Sequence, residues 1–279
     1  MIPKIIHYCW LGSNLLPEFE TNCIGSWKMQ MPEWEFMRWD EDSLTRAMQE
    51  PNLNPSMKGR TPKQAHNQSQ DTKIWLDFMP TYVKQAYEAR KFAFVSDYVR
   101  LWALEQYGGV YVDTDVKVLK SFEPLLNDTA FIGFEESKVH YPGTCVMGCE
   151  PHCQWVQDML EVYKGLEFIK PDGSLDLTTN VQRMGVVMMN ELANEGITSE
   201  RYWKQNQLIS KWGLRIYTHD YFSPITSTRV MRKTKNTYSI HYFAESWRDE
   251  KRAAWWRNWT ITREVVNALV QVKRKLYRK

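Results

Sequence analysis

The stretch Gly108-Gly109-Val110-Tyr111-Val112-Asp113-Thr114-Asp115 sets two carboxylates one residue apart at the end of an apolar strand that a glycine pair introduces. Alternation along a strand puts Asp113 and Asp115 on one face, where they repel each other unless a cation compensates. Hard divalent ions such as Mg²⁺ or Mn²⁺ favour carboxylate oxygens and keep positions open for phosphate oxygens. A nucleoside diphosphate is therefore the first ligand to consider. Alone, an Asp-x-Asp is weak evidence, because a solvated strand end would carry it equally well.

Upstream, Phe94-Val95-Ser96-Asp97-Tyr98-Val99-Arg100-Leu101-Trp102 reads as a helix in which Asp97 and Arg100 share a face among apolar neighbours. Charges in such surroundings are expected to be paired, because an unpaired one is costly to desolvate. A plain intrahelical salt bridge explains the pair as well as a functional role does. The helix leads directly into the Asp113 strand, so the two motifs can border one cleft. Downstream, Ile240-His241-Tyr242-Phe243-Ala244-Glu245-Ser246-Trp247 offers an imidazole on a strand with a hydroxyl and an indole after it. Histidine is a common ligand for borderline metals, although a lone histidine is more often structural.

Further out, Ile2 to Trp10 reads as a buried strand, a helical pattern runs from Glu18 to Met29, and Trp34 to Trp39 as a second strand. This strand-helix-strand opening is that of an α/β domain. Residues 50 to 70 read as a loop. Helix is expected over Lys84 to Tyr107 with a break near Lys91, and again around Gln154 to Tyr163 and 178 to 194. Ala130 to Phe134, Tyr217 to Phe222 and Thr237 to Phe243 read as strands, and a last helix from about Asp249 to the end.

The 279 residues suit one large domain, and no internal repeat is visible. The boundaries expected are a domain over 1–248 and a basic C-terminal helix over 249–279. The 13 Trp and 14 Tyr are an unusually aromatic load, fit for stacking on bases and sugars as well as for core. Five cysteines show no disulfide pattern, and the spacing of Cys145, Cys149, His152 and Cys153 departs from a zinc knuckle. The N-terminus shows no secretory signal, and no stretch approaches the roughly 20 apolar residues of a membrane span, so a cytoplasmic location is expected. From Trp247 onward ten Lys/Arg face three Asp/Glu, whereas the body is slightly acidic. Nucleic acid is thus no expected partner of the body. The tail suits the anionic inner leaflet of a membrane, as a peripheral contact, or else packs on its own domain.

Taken together these segments resemble the capsular-type glycosyltransferases of family 32, the group with the sugar-binding region containing the DXD motif. The opening from Ile2 to Gly12, the segment Phe94 to Arg100, the stretch Tyr107 to Asp115, and Asn236 to Trp247 follow the family's motifs in order over about residues 1 to 248. More distantly, the chain is similar to the glucosylating domains of clostridial toxins.

The resemblance implies an α/β fold of GT-A type, Rossmann-like with a mixed central sheet, a bacterial enzyme of surface polysaccharide synthesis, a retaining reaction, and Mn²⁺ or Mg²⁺ as cofactor. It implies a sugar-nucleotide donor, UDP-linked in preference, with galactose, glucose or an N-acetylhexosamine as candidates and GDP-mannose left open. The acceptor it implies is a saccharide or a lipid-linked one. By position, Trp10 matches the aromatic that stacks on the nucleobase, and Tyr111 lies beside the nucleotide. Asp97 and Arg100 match the pair on the donor-sugar hydroxyls. Asp113 matches the group on ribose or a metal-bound water, Asp115 the direct metal ligand, and His241 the C-terminal ligand. Ser246 and Trp247 match the pair over the diphosphate. The stretch 140 to 153 matches poorly, which leaves acceptor contacts open.

Two rival readings remain. Val110 to Val116 also fits the nucleophile strand of a haloacid-dehalogenase-like phosphatase, with Asp113 phosphorylated and Asp115 as acid/base. Such a domain starts with that strand and needs a later acidic pair for Mg²⁺, whereas here over a hundred residues precede the strand and no Asp-Asp or Gly-Asp follows it. A non-catalytic carbohydrate-binding protein would account for the aromatic residues but has no need of a metal site beside a stacking Trp.

Overall fold

The computed structural model describes residues 1–12, 14–49, 74–135, 141–197, 202–225 and 230–244. The loop expected at 50 to 70, Ser246, Trp247 and the basic C-terminal helix lie outside the described residues.

A seven-stranded mixed sheet forms the centre of an α/β fold, the class and sheet type that the resemblance implied. Strands β1 (Ile5–Cys9), β2 (Glu35–Trp39) and β3 (Gly109–Val112) are parallel neighbours, with β1 between the other two. Strand β6 (Pro142–Cys149) runs antiparallel to β3 and to β5 (Ala130–Phe134). Beyond them β8 (Leu214–Tyr217) pairs parallel with β5, and β7 (Gln207–Ile209) closes the edge. A separate ribbon joins β4 (Val116–Val118) to β9 (Ser239–His241).

The sheet is buried on both faces, and period-two alternation assigns its side chains. Val110 and Val112 pack on one side with Ile6, Trp27, Phe131 and Val146. Tyr111, Ile132 and Met147 face the other, under Trp39, Trp155 and helix α5 (Phe92–Tyr107). Four of the tryptophans, Trp27, Trp39, Trp75 and Trp155, are fully buried, so much of the aromatic load is core.

Helices α1 (Glu18–Gln30), α2 (Glu41–Gln49) and α3 (Ile74–Asp77) come first, the expected break near Lys91 separates α4 (Thr81–Glu88) from α5, and α6 (Gln154–Glu161) follows β6. The glycine pair ends α5, and both members need the freedom of that residue. Gly108 and Gly109 hold φ of 61° and 91°, and a Cβ on Gly109 would sit 2.7 Å from the Ile5 carbonyl oxygen. Helix α7 (Asn180–Asn194) starts in a capping box between Thr179 and Gln182. Among the described residues no helix is long and apolar enough to cross a membrane.

Two expectations need correction. The strand expected from Tyr217 to Phe222 lies earlier, over Leu214–Tyr217, because Leu214 and Ile216 pair with β5 whereas residues 218 to 222 turn, with the Tyr221 N–H donating to the Thr218 carbonyl. The acidic pair does not share a strand face. Strand β3 stops at Val112, and the Val116 N–H donates back to the Asp113 carbonyl at 3.0 Å, closing a turn over the Asp-x-Asp.

Candidate active site

In an open α/β sheet, ligands bind outside the carboxyl ends of the strands. Here the ends of β1, β3 and β5 and the start of the antiparallel β6 fall on one edge, around a cleft of about 540 Å³. Trp10 lines it from the end of β1, Asp97 and Arg100 from α5, Asp113 and Asp115 from the turn after β3, and His241 from β9.

The turn, not strand alternation, delivers both carboxylates to this cleft, each with its own partner. Asp113 accepts from the Tyr111 hydroxyl at 3.0 Å and lies 3.2 Å from Arg100 Nη1. Asp115 accepts from the Ala244 N–H at 2.7 Å through Oδ2, and its Oδ1 lies 3.5 Å from His241 Nε2. The ribbon explains this second contact, since His241 stands opposite Val116 in the β4–β9 register. Residues far apart in sequence are thus held together by backbone pairing.

Arg100 is buried and each of its three nitrogens has a protein partner. Nε donates to the Ser96 carbonyl at 3.2 Å, Nη1 to the Thr144 carbonyl at 2.9 Å, and Nη2 lies 3.1 Å from Asp97 Oδ1. Its guanidinium also covers the Tyr111 ring, 4.5 Å from the centroid. Asp97 in turn accepts from the Asn180 N–H at 3.3 Å, at the start of α7. Arg100 thus braces the site from within, and Tyr111, only 2% exposed, reaches it through Asp113.

Five carboxylates, those of Glu20, Asp97, Asp113, Asp115 and Glu135, line the cleft together with Arg90, Lys91, Arg100 and His241. Burial pushes the Asp97 carboxyl up to about 6 against the opposing pull of Arg100. Burial also raises Asp113, with Arg100 opposing and Asp115 adding to the rise. For Asp115 burial is outweighed by the His241 charge and the Ala244 N–H, which hold it below the usual carboxylate range. His241 is raised well above an ordinary imidazole, because Asp115 and Cys145 together outweigh its burial.

Asp113, Asp115 and His241 each offer one ligand atom, all within 4.8 Å of one another. Two carboxylate oxygens and an imidazole nitrogen suit a Mn²⁺ or Mg²⁺ class ion with positions left for other oxygens. Among the described residues, Cys145, Cys149, His152 and Cys153 form no such group. Cys145 instead sits beside His241 and Glu135.

The sequence reading passed over Glu135, Thr144 and Asn180. Glu135 carried a usable signal, an acidic residue directly after an apolar strand, as at Asp113. Asn180 carried none, since its contact with Asp97 depends on how α7 docks. Trp10 is half-buried at the cleft mouth, its indole N–H donating to the Asn14 carbonyl at 2.8 Å.

The chain is 31% identical over 134 residues to inositol phosphoceramide mannosyltransferase 1 of Schizosaccharomyces pombe, covering 47% of this chain and 33% of that protein. It is 26% identical over 117 residues to subversion of eukaryotic traffic protein A of Legionella pneumophila, covering 41% of this chain and 17% of that protein. The chain therefore spans a third or less of these relatives. A glycosyltransferase involved in glycosylation of the major capsid of PBCV-1 superimposes with a TM-score of 0.45 at 8% identity, over 92% of this chain and 99% of that one. Residues 17–132, which include Asp97, Arg100, Asp113 and Asp115 but not Trp10 or His241, match the family described as glycosyltransferase sugar-binding region containing DXD motif.

Proposed function

We propose that this chain is a metal-dependent, retaining hexosyltransferase that moves a hexose from a sugar nucleotide to a saccharide or lipid-linked acceptor in surface polysaccharide synthesis. The observation that carries the reading is the convergence of Asp113, Asp115 and His241 with Asp97 and Trp10 on one cleft at the carboxyl edge of the sheet. The match to a DXD sugar-binding region supports the same reaction class.

In this reading Trp10 stacks on the nucleobase, and Asp97 accepts hydrogen bonds from donor-sugar hydroxyls. Arg100 acts through its neighbours, fixing Asp97 and Asp113 and limiting repulsion among the carboxylates. Asp113, Asp115 and His241 would hold the ion, which would supply charge neutralisation for the departing diphosphate. Asp97 and Asp113 are both tied to Arg100, which draws charge from each and makes neither a favoured covalent nucleophile. Retention then runs by attack of the acceptor hydroxyl on the face from which the diphosphate leaves.

UDP is the nucleotide proposed, on the motif resemblance to family 32. The name of the fission yeast relative brings mannose, and a lipid acceptor, into the set to be tested. The transferase domain is taken as 1–248, working at the cytoplasmic side, with the basic segment 249–279 touching anionic lipid. A thermal-shift screen of UDP-hexoses and GDP-mannose with Mn²⁺, followed by donor hydrolysis, tests the proposal. Stabilisation by a sugar nucleotide that chelator abolishes is the expected result. Binding of free glycan without nucleotide or metal would instead identify a carbohydrate-binding protein, and phosphate release from a simple phosphoester a phosphatase.

A further inference from the structure

His241 presents a different set of neighbours to each of its two nitrogens. Nε2 faces Asp115 at 3.5 Å, while Nδ1 lies 3.6 Å from Glu135 Oε1, beyond hydrogen-bond reach. Nδ1 is buried and makes no hydrogen bond of ordinary length, and what lies beside it is the Glu135 carboxylate and the Cys145 sulfur. One ligand atom each from Glu135, Cys145 and His241 lies within 4.8 Å of the others, and all three residues line the cleft.

A glycine makes room for this cluster. Gly143 and Cys145 are two apart on β6 and share a face, and the Glu135 side chain lies across the bare Cα of Gly143. A Cβ there would come within 2.2 Å of Glu135 Cγ. The carboxylate is thereby seated beside the thiol and the imidazole.

We propose that Glu135, Cys145 and His241 form a second cation site, for a thiophilic divalent ion such as Zn²⁺, and that filling it disables the Asp113–Asp115 site. A thiol, an imidazole and a carboxylate are the donor types of a zinc site with three protein ligands and one open position. Thiolate selects against Mn²⁺ and Mg²⁺, and Zn²⁺ binds nitrogen and sulfur more tightly than Mn²⁺ does. On binding, the thiol proton passes to solvent and sulfur bonds to the ion.

The antagonism follows from the chemistry of one ring. A neutral imidazole carries one proton and one free lone pair. An ion on Nδ1 confines the proton to Nε2, which then donates to Asp115 and has no lone pair left for the other ion. Conversely, an ion on Nε2 leaves the proton on Nδ1, pointing at Glu135. The inhibitory half of the proposal rests on the transferase reading, whereas the binding half does not.

Cobalt(II) supplies the test, because a thiolate bound to Co²⁺ gives a charge-transfer absorption in the near ultraviolet. Titrating the metal-free chain with Co²⁺ should produce that band. Cys145→Ser should abolish it, and Asp115→Asn should keep it. Gly143→Ala, which displaces a flexible side chain rather than backbone, should weaken Co²⁺ affinity by roughly tenfold. No band in the unaltered chain, or a band that survives in Cys145→Ser, overturns the site. Should Cys145→Ser fail to fold, unchanged Co²⁺ affinity in Gly143→Ala overturns it equally. Zn²⁺ should also inhibit Mn²⁺-supported donor hydrolysis, with Cys145→Ser roughly tenfold less sensitive. Equal sensitivity overturns the antagonism. If no sugar nucleotide is turned over at all, the transferase reading fails while the cobalt band still decides the site.

Discussion

Arg100 and Asp113 form an ion pair at 3.2 Å that clamps helix α5 to the turn after β3. Because Asp97 shares the same guanidinium at 3.1 Å, one buried cation holds two carboxylates that would otherwise repel each other at the mouth of the cleft.

Removing that cation should be expensive. Arg100→Met leaves Asp97 and Asp113 buried without compensation and should cost about 3–5 kcal/mol of stability, measured by urea unfolding at neutral pH. Adding Asp97→Asn to Arg100→Met should recover part of the loss. A loss under about 1 kcal/mol in the single variant, as for an exposed pair, would show that the clamp does not hold the turn.

Asp97→Asn alone separates a sugar contact from a structural one. It keeps the shape of the side chain and an acceptor for the Asn180 N–H. Donor hydrolysis should fall roughly a hundredfold if the carboxylate meets sugar hydroxyls, while Mn²⁺-UDP affinity holds. Near-normal turnover with a lowered melting temperature would assign the residue to the fold instead.

Asp115→Asn should weaken Mn²⁺-dependent binding of UDP by roughly tenfold or more, and chelator should have no further effect on what remains. Calorimetry with Mn²⁺, and again with chelator, measures both. Affinity for UDP that is the same in the unaltered chain with and without chelator would remove the ion from the site.

His7 sets a pH limit that is independent of the cleft. It is fully buried, lies 2.7 Å from the Gly108 carbonyl through Nε2, and accepts from the Trp39 indole at 3.2 Å through Nδ1. These partners fix the neutral ring with its proton on Nε2. Burial lowers its pKa from 6.5 to about 4, against the Gly108 hydrogen bond, which raises it. Between those values the unfolded chain takes up a proton that the folded chain refuses. Stability from this group is therefore complete above pH 6.5 and falls as the pH drops toward 4, by about 3 kcal/mol. His7→Gln offers a donor and an acceptor but does not titrate. Its stability loss between pH 7 and 4.5 should be smaller by about 2 kcal/mol, the part of the effect that falls in that window, and an identical pH profile would contradict the assignment.

Periodicity made much of the frame readable, since β1, β2, β5, α5 and α7 each carry an apolar pattern and an end signal of their own. Helix α5 is the clearest case, closed by Gly108 and Gly109 at the start of β3. Strand β7 escaped notice because Gln207–Ile209 is too short to show a period, and β8 was displaced because its aromatic neighbours Tyr217, Tyr221 and Phe222 read as strand too. The acidic pair was legible as chemistry but not as geometry, because a turn rather than a pleat aims it. Glu135 and Asn180 belong to the site only through tertiary packing, which no local pattern records.

The β4–β9 ribbon gives the site a place in the order of synthesis. Asp113 and Asp115 leave the ribosome early, together with β1 and β3, but His241 and the Ala244 N–H come more than a hundred residues later. Until that last ribbon strand pairs, Asp115 has neither its imidazole nor its backbone donor. A nascent chain can therefore assemble much of its sheet before the Asp-x-Asp turn gains the third of its proposed ligands. In the proposed reading, holding an ion would be a late event, one that waits for the ribbon to close.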